Sequence, residues 1–213
     1  MLSRSSVHRA IRRLGLSREA PAPEPIVRYE YATPGGLLHL DTKKLGRIGD
    51  GPGHRATGDR RSRKRGIGWE VLHVAIDDAT RLVYAELLPD EKGRTTARFL
   101  VRALRWFRAH GVAVVRLLTD NGSPYRSLVF RRVARLLRIR PARTRPYHPQ
   151  TNGKCERWIR PCFRSASIAR SSPQRARVNL RSIVIVRYYN TERPHLGIGG
   201  STPWQRFTQL VVA

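Results

Sequence analysis

The sequence predicts a mixed α/β fold. One sheet begins with three meandering strands and continues with parallel ones, and helices cover both faces. Three observations carry this. Three β-rich runs come first, at 37–45, 69–77 and 81–88. An amphipathic helix (95–109) and a nearly continuous apolar strand (112–120) follow. Helix and strand then keep alternating to about residue 189. A meander followed by βαβ-type crossovers gives a mixed five-stranded sheet with helices packed on it.

Each element has its local reason. Residues 3–15 read as a short helix with Ser3 or Ser5 as cap, Val7, Ile11 and Leu14 on one face, and Gly15 as stop. Residues 20–34 hold four prolines and read as a linker. The run 37–45 ends its apolar stretch at Asp41 and leads into a glycine-rich basic loop over 46–68. Asp78-Ala79-Thr80 separates the next two runs by a hairpin's length. In 95–109, Phe99, Leu100, Ala103, Leu104 and Phe107 share a stripe, with Arg98, Arg102, Arg105 and Arg108 off it. The nearly continuous apolar character of 112–120 indicates a strand covered on both faces. A helix near 126–137 is expected to turn Val129, Val133 and Leu136 inward, with a short strand at 138–143 after it. A loop over 144–153 leads to a helix opening after Asn152, another helix covers about 174–189, and 190–213 reads as a turn-rich tail.

Charge narrows the function. Among 213 residues are 42 Lys and Arg against 15 Asp and Glu, a net +27. That excess points to a polyanion, with nucleic acid first. No apolar run approaches the ~20 residues of a membrane span. The first 16 residues lack the apolar stretch of a secretory signal. Two cysteines, Cys155 and Cys162, make no disulfide framework and indicate a reducing compartment. After Asp120 the only acids are Glu156 and Glu192, against 19 Lys and Arg. An acid kept in such surroundings invites a chemical reason.

Asp41 and Asp120 both end predicted strands, and Glu156 lies in the first turn of a helix. Ligand sites in such sheets gather at the carboxyl ends of parallel strands. Converging carboxylates are what Mg²⁺ requires, and a pair of such ions can drive phosphoryl transfer on nucleic acid. By spacing alone, turn-forming or helix-capping acids remain the commoner explanation.

The flanking residues add weight. HLDTKKLG (39–46), LLTDNGSPYRS (117–127), RPYHPQTNGKCER (145–157) and YYNTERPH (188–195) resemble the integrase-core transposases of bacterial insertion sequences. The runs at 73–91 and 199–207 are similar to the same family, and the likeness spans about 35–207. Its acidic triad is Asp, Asp, then Glu after 35 intervening residues, the spacing between Asp120 and Glu156.

This resemblance implies a ribonuclease H-like fold and metal-dependent strand cleavage and strand transfer in DNA transposition. Asp41, Asp120 and Glu156 match its catalytic, metal-binding acids, which would hold two Mg²⁺ (or Mn²⁺) ions. Lys43, Lys44, Arg61, Arg63, Lys64, Arg65, His148, Asn152, Lys154, Arg157 and Arg160 become candidate DNA contacts. Element ends and target DNA are the implied partners, with a homo-oligomer assembled on them and neither membrane nor small-molecule substrate. The implied location is the bacterial cytoplasm, at the nucleoid. The expected organisation is a helix-turn-helix remnant at 1–19, a linker at 20–34, a catalytic core at 35–190 and a tail at 191–213.

Other residues carry blander readings. Asp77 and Asp78 sit in the hairpin connection and read as turn formers. Cys155, Cys162 and His148 lack zinc spacing. His195 reads as structural or DNA-facing. Trp69, Trp106 and Trp158 read as core, with base stacking the alternative for Trp158. The arginines of 95–109 divide between a solvated face and DNA.

The family pattern is broken in two places. At most the last helix of its N-terminal helix-turn-helix is present, and Pro161 interrupts the helix that carries Glu156. The stretch 161–182 has no acid and little apolar periodicity. Hence a second expectation stands beside the enzyme: a truncated, inactive remnant that only binds DNA through charge. A third, a basic structural protein without a site, leaves the triad unexplained.

Overall fold

The computed structural model describes residues 3–16, 30–46, 69–144, 153–159 and 184–212. Its sheet has five strands in the order β3-β2-β1-β4-β5: β1 (Leu38–Gly46), β2 (Trp69–Asp77), β3 (Val83–Leu88), β4 (Arg116–Thr119) and β5 (Arg140–Arg143). β1, β2 and β3 form an antiparallel meander. β4 joins β1 in parallel, and β5 joins β4 in parallel. The predicted mixed sheet is therefore present. All four residues of its β5 edge are exposed and one of them is Pro141, which discourages pairing with another strand.

Helices α1 (Arg4–Arg13), α2 (Gly93–Ala109), α3 (Ser123–Arg126), α4 (Leu128–Leu136) and α7 (Pro203–Val212) are joined by α5 (153–159) and α6 (184–191). Alternation along β1 splits the core in two. Leu38 and Leu40 face α2 and α4, packing with Phe99, Leu100, Phe107 and Phe130. The opposite face, with Leu72, Val74, Ile76 and Val83, is covered by Cys155, Trp158 and Ile159 of α5 and Tyr189 of α6. The side chain of Asn190 ties α6 to the sheet edge. Its Nδ2 donates to the Val83 carbonyl at 2.8 Å, and its Oδ1 accepts from the Val83 amide at 3.0 Å.

Several expectations are corrected. The strand expected over 112–120 is only Arg116–Thr119. Gly111 turns the chain off α2 at φ 80°, and the Val115 amide bonds the Gly35 carbonyl at 2.9 Å before the ladder begins. The helix expected near 126–137 is present as Leu128–Leu136, capped by Ser127, whose Oγ accepts from the Phe130 amide at 3.2 Å. Its buried residues are Phe130 and Ala134, not Val129 and Leu136; Leu136 is 82% exposed. The stripe is rotated because the large Phe130 ring takes the core position. Trp69 is exposed, not core, since it opens β2 beyond the cover of the helices. The turn-rich tail contains α7, whose Phe207 packs on the main core. The apolar residues Val7, Ile11 and Leu14 of α1 are solvent-exposed. The helix expected over about 174–189 falls partly outside the described residues, and what is described of it is α6.

Candidate active site

β1 sets the first acid. Leu38 faces Leu117 and His39 faces Leu118 across the parallel pair; the same offset carried two residues on brings Asp120 beside Asp41. Both acids lie where the chain runs past the ladder of β1 and β4, at the carboxyl end of β4. Asp41 pairs with Val74 on the face that α5 covers. Along α5, Cys155, Trp158 and Ile159 point to the sheet, and Glu156 and Arg157 remain exposed.

Local structure holds both aspartates. Asp41 Oδ1 accepts from the Thr42 amide at 2.8 Å. Asp120 Oδ1 accepts from the Gly122 amide at 2.8 Å. A Cβ at Gly122 would stand 2.9 Å from that same oxygen, so a side chain there would displace the carboxylate. Asn121 Nδ2 donates to the Thr144 carbonyl at 2.9 Å and fixes the turn to the end of β5.

The acids are coupled through their charge. Burial pushes the Asp41 carboxyl up to about 6, and the Asp120 and Glu156 carboxylates push the same way, against the Thr42 amide and Lys43. Beneath them Tyr125 is buried, and its phenol is raised well above its ordinary value by burial and by Asp41 and Asp120. Among the described residues no three His, Cys, Asp or Glu side chains stand close enough to ligate one ion. The structure thus brings Asp41 and Asp120 into register and places Glu156 within their field, without closing a three-ligand cluster. The chemistry of this set still suits a hard divalent cation. It is all-carboxylate, and burial, with the neighbouring carboxylates adding to it, raises the proton affinity of Asp41.

The expected DNA contacts fall into three groups. Lys43 and Arg157 are exposed beside Asp41 and Glu156. Lys44 is exposed and pairs with Glu91 at 2.7 Å. Lys154 instead places its ammonium on the buried carboxylate of Asp78. Arg61, Arg63, Lys64, Arg65, His148, Asn152 and Arg160 lie outside the described residues, as do Pro161 and Cys162. Of the α2 arginines, Arg102 grips Glu86 in a bidentate pair, with Nε donating at 2.8 and 3.0 Å.

Asp77 and Asp78 do more than form a turn. Asp77 accepts from the Thr80 amide and hydroxyl at 2.9 and 2.7 Å, as a turn former does, and also from the Gly35 amide at 2.7 Å. Burial raises the Asp78 carboxyl, but the bonds from His39, Lys154 and the Tyr31 amide outweigh it and hold it down at about 2. His195 packs against the Tyr189 ring, and burial, then Arg193 and Arg81, lower its imidazole to about 4. Sequence reasoning missed the Asp78 hub and Tyr125. A hydrogen-bonding His39 inside an otherwise apolar run was the available signal for the first.

A family model described as "Integrase core domain" matches residues 33–149, and a second with the same description matches 137–203. The chain belongs to the integrase core domain family. Two solved structures resemble this integrase core domain. One is the simian T-cell lymphotropic virus intasome in complex with PP2A regulatory subunit B56 gamma. It is 20% identical, with 84% of this chain and 56% of that one covered and a TM-score of 0.64. The other is the catalytic core domain of BIV integrase. It is 19% identical, with 82% of this chain and 95% of that one covered and a TM-score of 0.57. The chain therefore spans a little over half the length of the intasome protein and nearly the whole of the isolated core. At these identities the likeness is one of fold, and the mixed sheet with helices on both faces is the ribonuclease H-like fold of integrase cores.

Proposed function

We propose that this integrase core domain is the catalytic core of a bacterial insertion-sequence transposase, cleaving DNA strands and joining them to target DNA. The register of Asp41 with Asp120, with Glu156 in their field on the covering helix, carries the reading. Asp41, Asp120 and Glu156 would hold two Mg²⁺ or Mn²⁺ ions, which would supply activation of the attacking oxygen and stabilisation of the leaving one. Gly122 and Thr42 keep the two aspartates oriented through their amides. Lys43 and Arg157 flank the acids and offer phosphate contacts, joined by Lys44, Arg61, Arg63, Lys64, Arg65, His148, Asn152 and Arg160. The protein works as an oligomer on element ends and target DNA, in the cytoplasm at the nucleoid. No helix among the described residues is long and apolar enough to cross a membrane. Residues 1–19, with helix α1, belong to the end-binding part, 20–34 to a linker, 35–190 to the core and 191–213 to a tail.

The test is a strand-cleavage and strand-transfer assay with Mn²⁺ on duplex carrying the element's ends, beside Asp120→Asn. Activity at least ~10³-fold above the variant is expected, because removing a metal-holding acid removes the chemical step. A second reading, a remnant that only binds DNA, is favoured by Pro161 and the acid-free stretch after it. Salt-sensitive DNA binding with equal, background cleavage in both proteins would establish the remnant and overturn the enzyme.

A further inference from the structure

Asp78 opens the β2–β3 turn, and its side chain is fully buried. Oδ1 accepts from His39 Nε2 at 2.7 Å and from Lys154 Nζ. Oδ2 accepts from the Tyr31 amide at 2.8 Å. The Arg81 guanidinium stands 3.8 Å away. The two side-chain donors come from meaningful places. His39 precedes Asp41 by two residues, so both lie on one face of β1, about 7 Å apart along the strand. Lys154 precedes Glu156 by two residues on α5. One buried carboxylate therefore links the strand of the first acid to the helix of the third.

Lysine is a poor residue for that position on other grounds. A cation in the first turn of a helix opposes the macrodipole, and a buried ion pair costs desolvation on both sides. Apolar docking of α5 is already supplied by Cys155, Trp158 and Ile159. Those residues fix the depth of a two-turn helix on the sheet, but apolar contact is non-directional and leaves sliding and rotation open. A short helix of this kind is also marginal alone. A charged, hydrogen-bonded tether at its first turn removes that freedom. We propose that the Asp78–Lys154 pair, braced by His39, is the device that sets α5 in register with β1 and so aims Glu156 at Asp41 and Asp120. Asp78, Lys154 and His39 are positioning residues on this account, which rests on the metal-binding reading of the triad.

The full chain provides its own reporter, because buried Cys155 lies between Lys154 and Glu156. In a Cys162→Ser background the rate of Cys155 reaction with an aromatic disulfide reports undocking of α5. Mn²⁺ titration reports the triad. Lys154→Met, which keeps the stem's volume, and Asp78→Asn are each expected to speed labelling at least tenfold and weaken Mn²⁺ binding about tenfold. Lys154→Arg, which keeps the charge, is expected to stay within threefold of the parent in both. Phe107→Leu, a core change on the other face, is expected to lower the melting temperature without weakening Mn²⁺ binding. Parent-like labelling and Mn²⁺ affinity in Lys154→Met would overturn the proposal, and so would equal losses in Lys154→Arg and Lys154→Met. A parent protein that binds no Mn²⁺ overturns the triad reading itself; the labelling rates, which need no metal, then still decide whether the pair docks α5.

Discussion

Replacing Asp41 by Asn is expected to abolish strand transfer and at the same time stabilise the protein. The carboxyl titrates at about 6 in the folded chain because it is buried beside two other acids, against about 3.9 when unfolded. The sign follows from linkage. Above pH 6 the folded state carries a charge it holds less well than the unfolded chain does, so ionised Asp41 is destabilising. That penalty is relieved as pH falls through about 6 towards about 4. A shift of two units bounds the penalty at about 3 kcal/mol, and water at this partly exposed site reduces it to about 1–2 kcal/mol. At pH 7.5 Asp41→Asn should therefore melt about 2–6 °C higher than the parent, and its stability should be flatter between pH 6 and 4. Mn²⁺ should raise the melting temperature of the parent and leave that of the variant nearly unchanged, since binding to the native state alone stabilises it. Thermal melts across pH, with and without Mn²⁺, decide it. A variant that melts below the parent at pH 7.5 would show that Asp41 supports the fold rather than straining it.

Most of the architecture was legible because it rests on periodicity. The three β-rich runs and the stripe of Phe99, Leu100, Ala103 and Phe107 admit one reading each, and the sheet followed from their order. Failure came where two apolar sets compete. In α4, Val129 and Leu136 share a face as plausibly as Phe130 and Ala134 do, and only the depth of the core selects the larger ring. α7 was missed although its signal is local. Thr202 and Gln205 form a reciprocal capping box, with the Gln205 amide donating to Thr202 Oγ1 at 3.2 Å and the Thr202 amide to Gln205 Oε1 at 2.9 Å. Pro203 at the first helical position completes it. The candidate site divides the same way. Asp120 was marked by a strand end, which is sequence-local; Asp41 was expected at one too, but the polar continuation Thr42–Gly46 stays paired with β2, so Asp41 is the fourth of nine residues in β1. Lys154 counted as a phosphate contact because its partner Asp78 lies 76 residues away, and no local pattern announces a pair of that kind.

Asp77→Ala is expected to be the most damaging single change to stability outside the apolar core. Its carboxylate is fully buried and accepts three bonds, from the Gly35 amide at 2.7 Å and from the amide and hydroxyl of Thr80 at 2.9 and 2.7 Å. Burial raises its proton affinity, so the ionised group is held at some cost, and a residue that only had to turn the chain would not need to be interior. What it secures is the approach of two segments. Gly35 has φ 79°, a conformation most residues avoid, and its carbonyl in turn receives the Val115 amide at 2.9 Å. Truncation leaves two buried amides without acceptors, at about 1–3 kcal/mol each. The total of about 3–5 kcal/mol should lower the melting temperature by about 10 °C in a chain of this size. Asp77→Asn keeps one acceptor oxygen and should lose about half as much. Because Asp78 follows directly, loosening this turn should also speed Cys155 labelling, though less than Lys154→Met does. A fall of under about 3 °C in Asp77→Ala would mean that water enters the turn and replaces the carboxylate, and that Gly35 is held by its neighbours rather than by this side chain.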